Sequence, residues 1–344
     1  MAKDTVAQRR LETLLDEAEA RGSCLVPHTR ADDAVLKRRL AVNEVVEPAR
    51  GVYARPSYWL GLTPDVRALH LMRGLGEKHP SWIFRSSSAL LVEGLDLPYA
   101  LALPVRVYAT RAPARSCGNV DVKVLHAPLR PDLVETRRGL SVVTFWEALL
   151  ECLLDISFPN GLAVADAAVR RFGWDADQLV SFVRAEGRHR PGIRRAVIIA
   201  SFADGRAEDG GESLARAFLI MHGFQLPLLQ VEIPDVTNPG RVFRVDFLWE
   251  LPDGRIVVGE FDGRCKYVDE GMLDGCSTVD VLLSERQRES RLTLAGCSVV
   301  RFTYDDLLHP QRLVNLLVSA GIPRDEGAAR IWHDRWAAAS PHAA

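Results

Sequence analysis

The chain has 344 residues, too long for one typical domain and suited to two or three. Its hydrophobic fraction of 47% and charged fraction of 26% are those of an ordinary globular protein, so its core requires neither disulfide staples nor a structural metal. A net charge of −2 gives no overall pull toward nucleic acid, and any such signal must come from local runs. The cysteines, at 24, 117, 152, 265, 276 and 297, show no C-x-x-C spacing, which argues against a zinc finger and for a reducing compartment. No uninterrupted apolar stretch reaches the roughly 18 residues of a membrane span, and none follows Met1. The expectation is a cytoplasmic protein with no membrane association.

Residues 5–21 place Val6, Leu11, Leu14, Leu15 and Ala18 at helical spacing, with Gly22 as a C-cap. Residues 31–42 predict a second helix carrying Lys37, Arg38 and Arg39, and residues 44–53 a short hairpin with Pro48, Arg50 and Gly51. Helix, short helix, basic helix and β-wing is the order of a winged helix-turn-helix, which reads DNA with such a basic helix. Residues 1–60 are therefore read as a winged helix, with Lys37, Arg38, Arg39 and Arg50 as DNA contacts. The competing reading is a small helical cap with a solvated basic face. Residues 61–195 predict a mixed α/β middle domain: helices at 65–78, 85–94, 145–154, 162–172 and 175–185, and strands at 105–110 and 120–126. His70 and His126 are isolated and carry no constellation. The run 184–195 holds five arginines against one acid, with Pro191 and Gly192, and marks a boundary.

A domain at 196–320 carries the chemistry. Residues 212–222 predict an amphipathic helix with Glu212 in its first turn, and residues 229–236 a strand. Residues 241–251 and 255–262 flank Pro252-Asp253-Gly254, which suits a three-residue hairpin loop. That loop pairs Leu251 with Arg255 and so sets Asp246 opposite Glu260, with Asp262 on the face of Glu260. Carboxylates crowded on one sheet face repel one another, a conflict that Mg²⁺ or Mn²⁺ resolves by taking their oxygens. Asp246, Glu260 and Asp262 are the expected metal ligands. A helix at 284–295 and a strand at 298–303 complete an α-β-β-β-α-β order, and a C-terminal helix and tail follow at 321–344.

Glu212, Val245-Asp246-Phe247, Gly259-Glu260-Phe261-Asp262-Gly263, Lys266-Tyr267, Glu285…Arg291 and Val300-Arg301-Phe302-Thr303 together resemble the PD-(D/E)XK nuclease superfamily, in the branch similar to very short patch repair endonucleases. The order of the whole chain resembles proteins in which an AbiEi-like antitoxin winged helix precedes a nuclease-like domain. The resemblance implies Asp246, Glu260, Glu212 and Lys266 as catalytic residues. The superfamily pattern has a lysine two residues after the acid, where Asp262 stands here. Lys266, four residues further, is the expected substitute toward water or phosphate. The function implied is a Mg²⁺-dependent DNA endonuclease of a phage-defence or toxin–antitoxin system. Its implied partners are DNA, a toxin or defence protein, and a second copy of the chain. The alternatives are a DNA-binding repressor with a degenerate nuclease fold and an antitoxin acting by protein–protein contact.

Overall fold

The computed structural model describes residues 2–109, 121–238, 240–262 and 278–339. The protein is mixed α/β and divides into two compact units, residues 1–155 and 156–344. Among the described residues no helix is long and apolar enough to cross a membrane.

The first unit opens with α1 (Ala2–Ala20) and α2 (Arg30–Ala41), followed by an antiparallel hairpin of β1 (Val46–Ala49) and β2 (Val52–Ala54). Leu11, Leu15 and Ala18 recur at helical spacing and bury against Leu25, Leu36, Val45 and Tyr53. Thr29 caps α2 by accepting the Asp32 amide, and Asp32 and Asp33 occupy the first turn, where the helix dipole favours acids. Two helices, not three, precede the hairpin. Leu25, in the stretch between them, instead forms an antiparallel bridge with Tyr53 beside the hairpin.

Next come α3 (Pro56–Gly61), α4 (Pro64–Lys78), β3 (Ile83–Phe84), α5 (Ser86–Val92), β4 (Val105–Tyr108), β5 (Val122–Leu125), β6 (Val134–Arg137), β7 (Leu140–Val143) and α6 (Phe145–Leu154). The strands form a sheet in the order β5-β4-β3-β7-β6. The β6–β7 hairpin is absent from the sequence reading because its turn is unusual. Arg138 and Gly139 both take positive φ, 49° and 77°, and arginine is not a residue that announces such a turn.

The second unit runs α7 (Phe158–Phe172), α8 (Ala176–Glu186), α9 (Ile193–Ala200), α10 (Gly210–Met221), β8 (Leu228–Pro234), β9 (Val242–Glu250), β10 (Ile256–Asp262), α11 (Thr278–Leu294), β11 (Cys297–Thr303), α12 (Tyr304–Leu308), α13 (Pro310–Ser319) and α14 (Glu326–Ala338). Its sheet has the order β11-β10-β9-β8, with β10 and β11 parallel and the other pairs antiparallel. One face packs Phe247, Trp249, Val257 and Phe302 with Phe218 and Leu219 of α10 and Leu313 and Leu317 of α13. The other packs Phe243, Val245, Leu248 and Val258 with Leu292 of α11.

The division between units falls ahead of the arginine-rich run 184–195, so that α7 to α9 belong with the sheet. α7 packs against α10, burying Leu162, Val164 and Val169, and a buried ion pair ties the two helices. Asp166 on α7 has no exposed side-chain surface and pairs with Arg216 of α10, which also donates to the Phe202 carbonyl at 2.8 Å. Asp166 in turn accepts the Asp204 amide at 2.8 Å. Arg216→Met is expected to destabilise this unit by about 3–5 kcal/mol, because it strands a buried carboxylate. Urea unfolding checks this, and a change below about 1 kcal/mol would show that the pair contributes little.

Candidate active site

The loop between β9 and β10 sets the register. Leu251 N donates to the Arg255 carbonyl at 2.9 Å, and Gly254 takes φ 83°. Pairing continues through Ile256↔Glu250, Val257↔Trp249, Val258↔Leu248 and Gly259↔Phe247. Glycine at 259 is a packing requirement, since a Cβ there would stand 2.8 Å from the Trp249 ring. The next step along this register brings Glu260 to Asp246. Here the ladder gives way to a side-chain contact, in which the Phe261 amide donates to Asp246 Oδ2 at 2.9 Å.

The neighbouring pair of strands contains a switch. Leu229 and Phe247 pack in the core under α10, whereas Ile233, Phe243 and Val245 pack in the core with Leu292 of α11. The register, Leu229↔Phe247 and Val231↔Val245, runs straight through. The side chains therefore change faces between these pairs, at Gln230 and Asp246. Gln230 takes φ 54°, a left-handed conformation that strains any residue with a Cβ. This crossing lets Glu212, from the α10 side, meet Glu260, from the α11 side.

The result is a cleft of about 430 Å³ lined by Glu208, Asp209, Glu212, Gln230, Arg244, Asp246, Glu260, Phe261 and Arg288. Asp209 caps α10 by accepting the Glu212 amide at 2.8 Å. The Glu212 carboxylate accepts the Glu208 amide at 2.9 Å and both contacts of the Gln230 amide, at 3.0 and 3.1 Å. Burial pushes Glu212 up to about 7; the Asp246 and Asp209 charges add to the rise, and the hydrogen bonds oppose it. Glu260 is likewise raised to about 7 by burial, with the Arg288 and Arg301 charges pulling down and those of Asp246 and Glu285 pushing up. Arg288 donates to Glu260 Oε1 at 2.9 Å, and Arg244 pairs with Glu208 at 2.7 Å.

Three of the acids singled out in the sequence, Glu212, Asp246 and Glu260, thus line one cleft. Asp262 does not line it; it faces Arg301 at 3.3 Å, and Arg301 is also held by Glu285. Lys266 and Tyr267 lie outside the described residues. Gln230, Arg244 and Arg288 escaped the sequence reading. Nothing in the run Leu228–Pro234, which also holds Glu232, marks out Gln230; for Arg288 the signal was its place on a charged helix.

Among the described residues, no three His, Cys, Asp or Glu side chains form a ready-made metal shell. The donor chemistry nonetheless fits a hard divalent cation. The donors are carboxylate oxygens, and two of the acids that carry them, Glu212 and Glu260, resist ionisation because they are buried.

In the first unit, Lys37 pairs with Asp33 at 2.7 Å, and Arg39 with Glu12 at 2.5 Å and Glu44 at 3.6 Å. Arg38 and Arg50 are exposed. Lys37 and Arg50 share a wide cleft of about 890 Å³ with Arg30 and Lys78.

No family model matches the chain. Two proteins of Mycobacterium tuberculosis, both described as uncharacterised, are similar to it: MT2308 of strain CDC 1551 / Oshkosh and Rv2248 of strain ATCC 25618 / H37Rv. Each is 33% identical over 184 residues, which cover 54% of this chain and 62% of the relative. The match thus spans less than two thirds of either relative's length. Among solved structures, the crystal structure of the Rv2827c protein from Mycobacterium tuberculosis covers 59% of this chain and 76% of its own, at 15% identity and a TM-score of 0.31.

Proposed function

We propose that the protein is a divalent-cation-dependent DNA endonuclease of the PD-(D/E)XK kind, acting in the cytoplasm in a phage-defence or toxin–antitoxin setting. The observation that carries this reading is the meeting of Glu212, Asp246 and Glu260 in one cleft of a mixed four-stranded sheet. The helix–strand–strand–strand–helix–strand order from α10 to β11 supports it.

Asp246 and Glu260 would hold Mg²⁺ or Mn²⁺, with Glu212 beside them. When bound, the cation supplies Lewis acidity that activates water and offsets charge on the phosphate. Gln230 fixes the plane of the Glu212 carboxylate by donating to both oxygens. Arg244 and Arg288 bring positive charge to a cleft that phosphodiester oxygens must enter. Lys266 is the expected further cation toward water or phosphate. Supercoiled, linear and single-stranded DNA incubated with Mn²⁺ or Mg²⁺ test the reading. Cleavage that stops with chelator is expected; intact DNA under every condition would end it.

The second reading, a DNA-binding repressor, is favoured by the cleft that Lys37, Arg50, Arg30 and Lys78 share with two acids, Asp33 and Glu47. Replacing Lys37, Arg38 and Arg50 by Ala should lower the log–log salt slope of duplex binding by about 0.9 per lost phosphate contact. Arg39→Ala should instead weaken folding of the first unit, because it breaks the pair with Glu12. A gel-shift salt series with an unchanged slope would make the basic face a solvated surface.

A further inference from the structure

Arg288 and Arg291 of α11 are each partly exposed and each paired with a buried acid, Glu260 and Asp235 respectively; Arg288 and Glu260 line the cleft, and Arg291 and Asp235 do not. Arg216 is buried against Asp166, and Arg301 is gripped by both Asp262 and Glu285. Among the described residues, the ion pair of Arg288 is with Glu260 alone, through Nη2, which also donates to the Arg244 carbonyl at 2.5 Å. Its side chain is 26% exposed against 8% for that of Glu260, so the guanidinium reaches a buried carboxylate from the open end of the cleft.

We propose that Arg288 is an exchangeable counter-ion. It neutralises Glu260 while that carboxylate has no metal partner, and it turns to the phosphodiester backbone when Glu260 is otherwise engaged. The inference rests on the nuclease reading. Its physical basis is charge pairing in a poorly solvated cleft. A guanidinium that loses its carboxylate there must find another anion or water, since an unpaired charge in such surroundings is costly. Arg288 already reaches toward solvent, and its planar fork of donors matches phosphate oxygens in pairs. Arginine in this place therefore serves both states of the cleft. It limits carboxylate repulsion in the empty state, and it supplies a phosphate contact in the loaded one. The two roles exclude each other at any instant, so the exchange makes binding at Glu260 and the exposure of Arg288 mutually dependent.

Calorimetry of Mn²⁺ binding to the full chain tests the competition. Arg288→Met removes the competing charge and keeps the apolar stem, and it should bind Mn²⁺ about tenfold more tightly than wild type. Arg288→Lys, which keeps the charge, should fall between the two. A second measurement uses wild type only, so it does not depend on a variant folding. Adding Ca²⁺ should steepen the salt slope of duplex-DNA binding by about 0.9, the signature of one new phosphate contact. Mn²⁺ binding that depends on Glu260 but is unchanged or weaker in Arg288→Met overturns the exchange alone, as does a slope indifferent to Ca²⁺. No Mn²⁺ binding by wild type or by Arg288→Met overturns the nuclease reading together with the exchange.

Discussion

If the chain is the nuclease proposed, Asp246→Asn and Glu260→Gln are each expected to slow divalent-dependent nicking of supercoiled DNA by on the order of a thousandfold, the rate equivalent of several kcal/mol of lost charge stabilisation. Both substitutions keep the shape of the side chain and remove its charge. Asp246 Oδ2 also receives the Phe261 amide, a contact the asparagine oxygen retains, so the strand geometry should survive. Asp262→Asn is the internal contrast. Its carboxylate is engaged with Arg301 and does not line the cleft, so nicking should remain within a few fold of wild type. Nicking that persists in Glu260→Gln, or that is lost equally in Asp262→Asn, would move the site elsewhere.

The metal-free protein should lose stability between about pH 4.5 and pH 7, and the double variant Glu212→Gln, Glu260→Gln should lose much less. Both acids have an ordinary value of 4.5 and are raised to about 7 in the fold, chiefly by burial. Folding thus tightens their hold on protons. Their contribution is full below the unfolded value and is lost as pH climbs through the folded one. Each group accounts for roughly 3 kcal/mol over that window. His70, His79 and His222, held below their usual range by burial, act in the opposite sense as pH falls. The informative quantity is therefore the difference between wild type and double variant, measured by thermal unfolding with chelator at pH 5 and pH 8. Parallel curves would show that the two carboxylates are not strained.

The hairpin of β9 and β10 was legible because a Pro-Asp-Gly loop leaves little freedom in register, which holds from Ile256↔Glu250 to Gly259↔Phe247, one step short of Glu260 and Asp246. Long periodic helices were legible too: α4, α6 and α8 lie within a residue or two of their sequence expectation. What the sequence concealed is what depends on tertiary packing. Strict alternation put Asp262 beside Glu260 as a ligand, yet an arginine from the parallel neighbour β11 claims it. The switch at Gln230 breaks alternation outright, and no local pattern announces a glutamine at positive φ. The ion pair that ties α7 to α10 joins Asp166 and Arg216, which are 50 residues apart and carry no mutual signal in one sequence.

The crossing at Gln230 and Asp246 has a consequence for how such a cleft evolves. Its acids are carried by two separately packed layers, one anchored by Phe218 and Phe247 and the other by Val245 and Leu292. Volume changes in either layer shift one rim against the other, in the manner of two jaws on a common pivot. The gap between Glu212 and Glu260 can therefore drift through ordinary apolar substitutions, with every carboxylate left in place. Descendants of one ancestral chain can thus differ in the spacing of these carboxylates while keeping an identical set of acids.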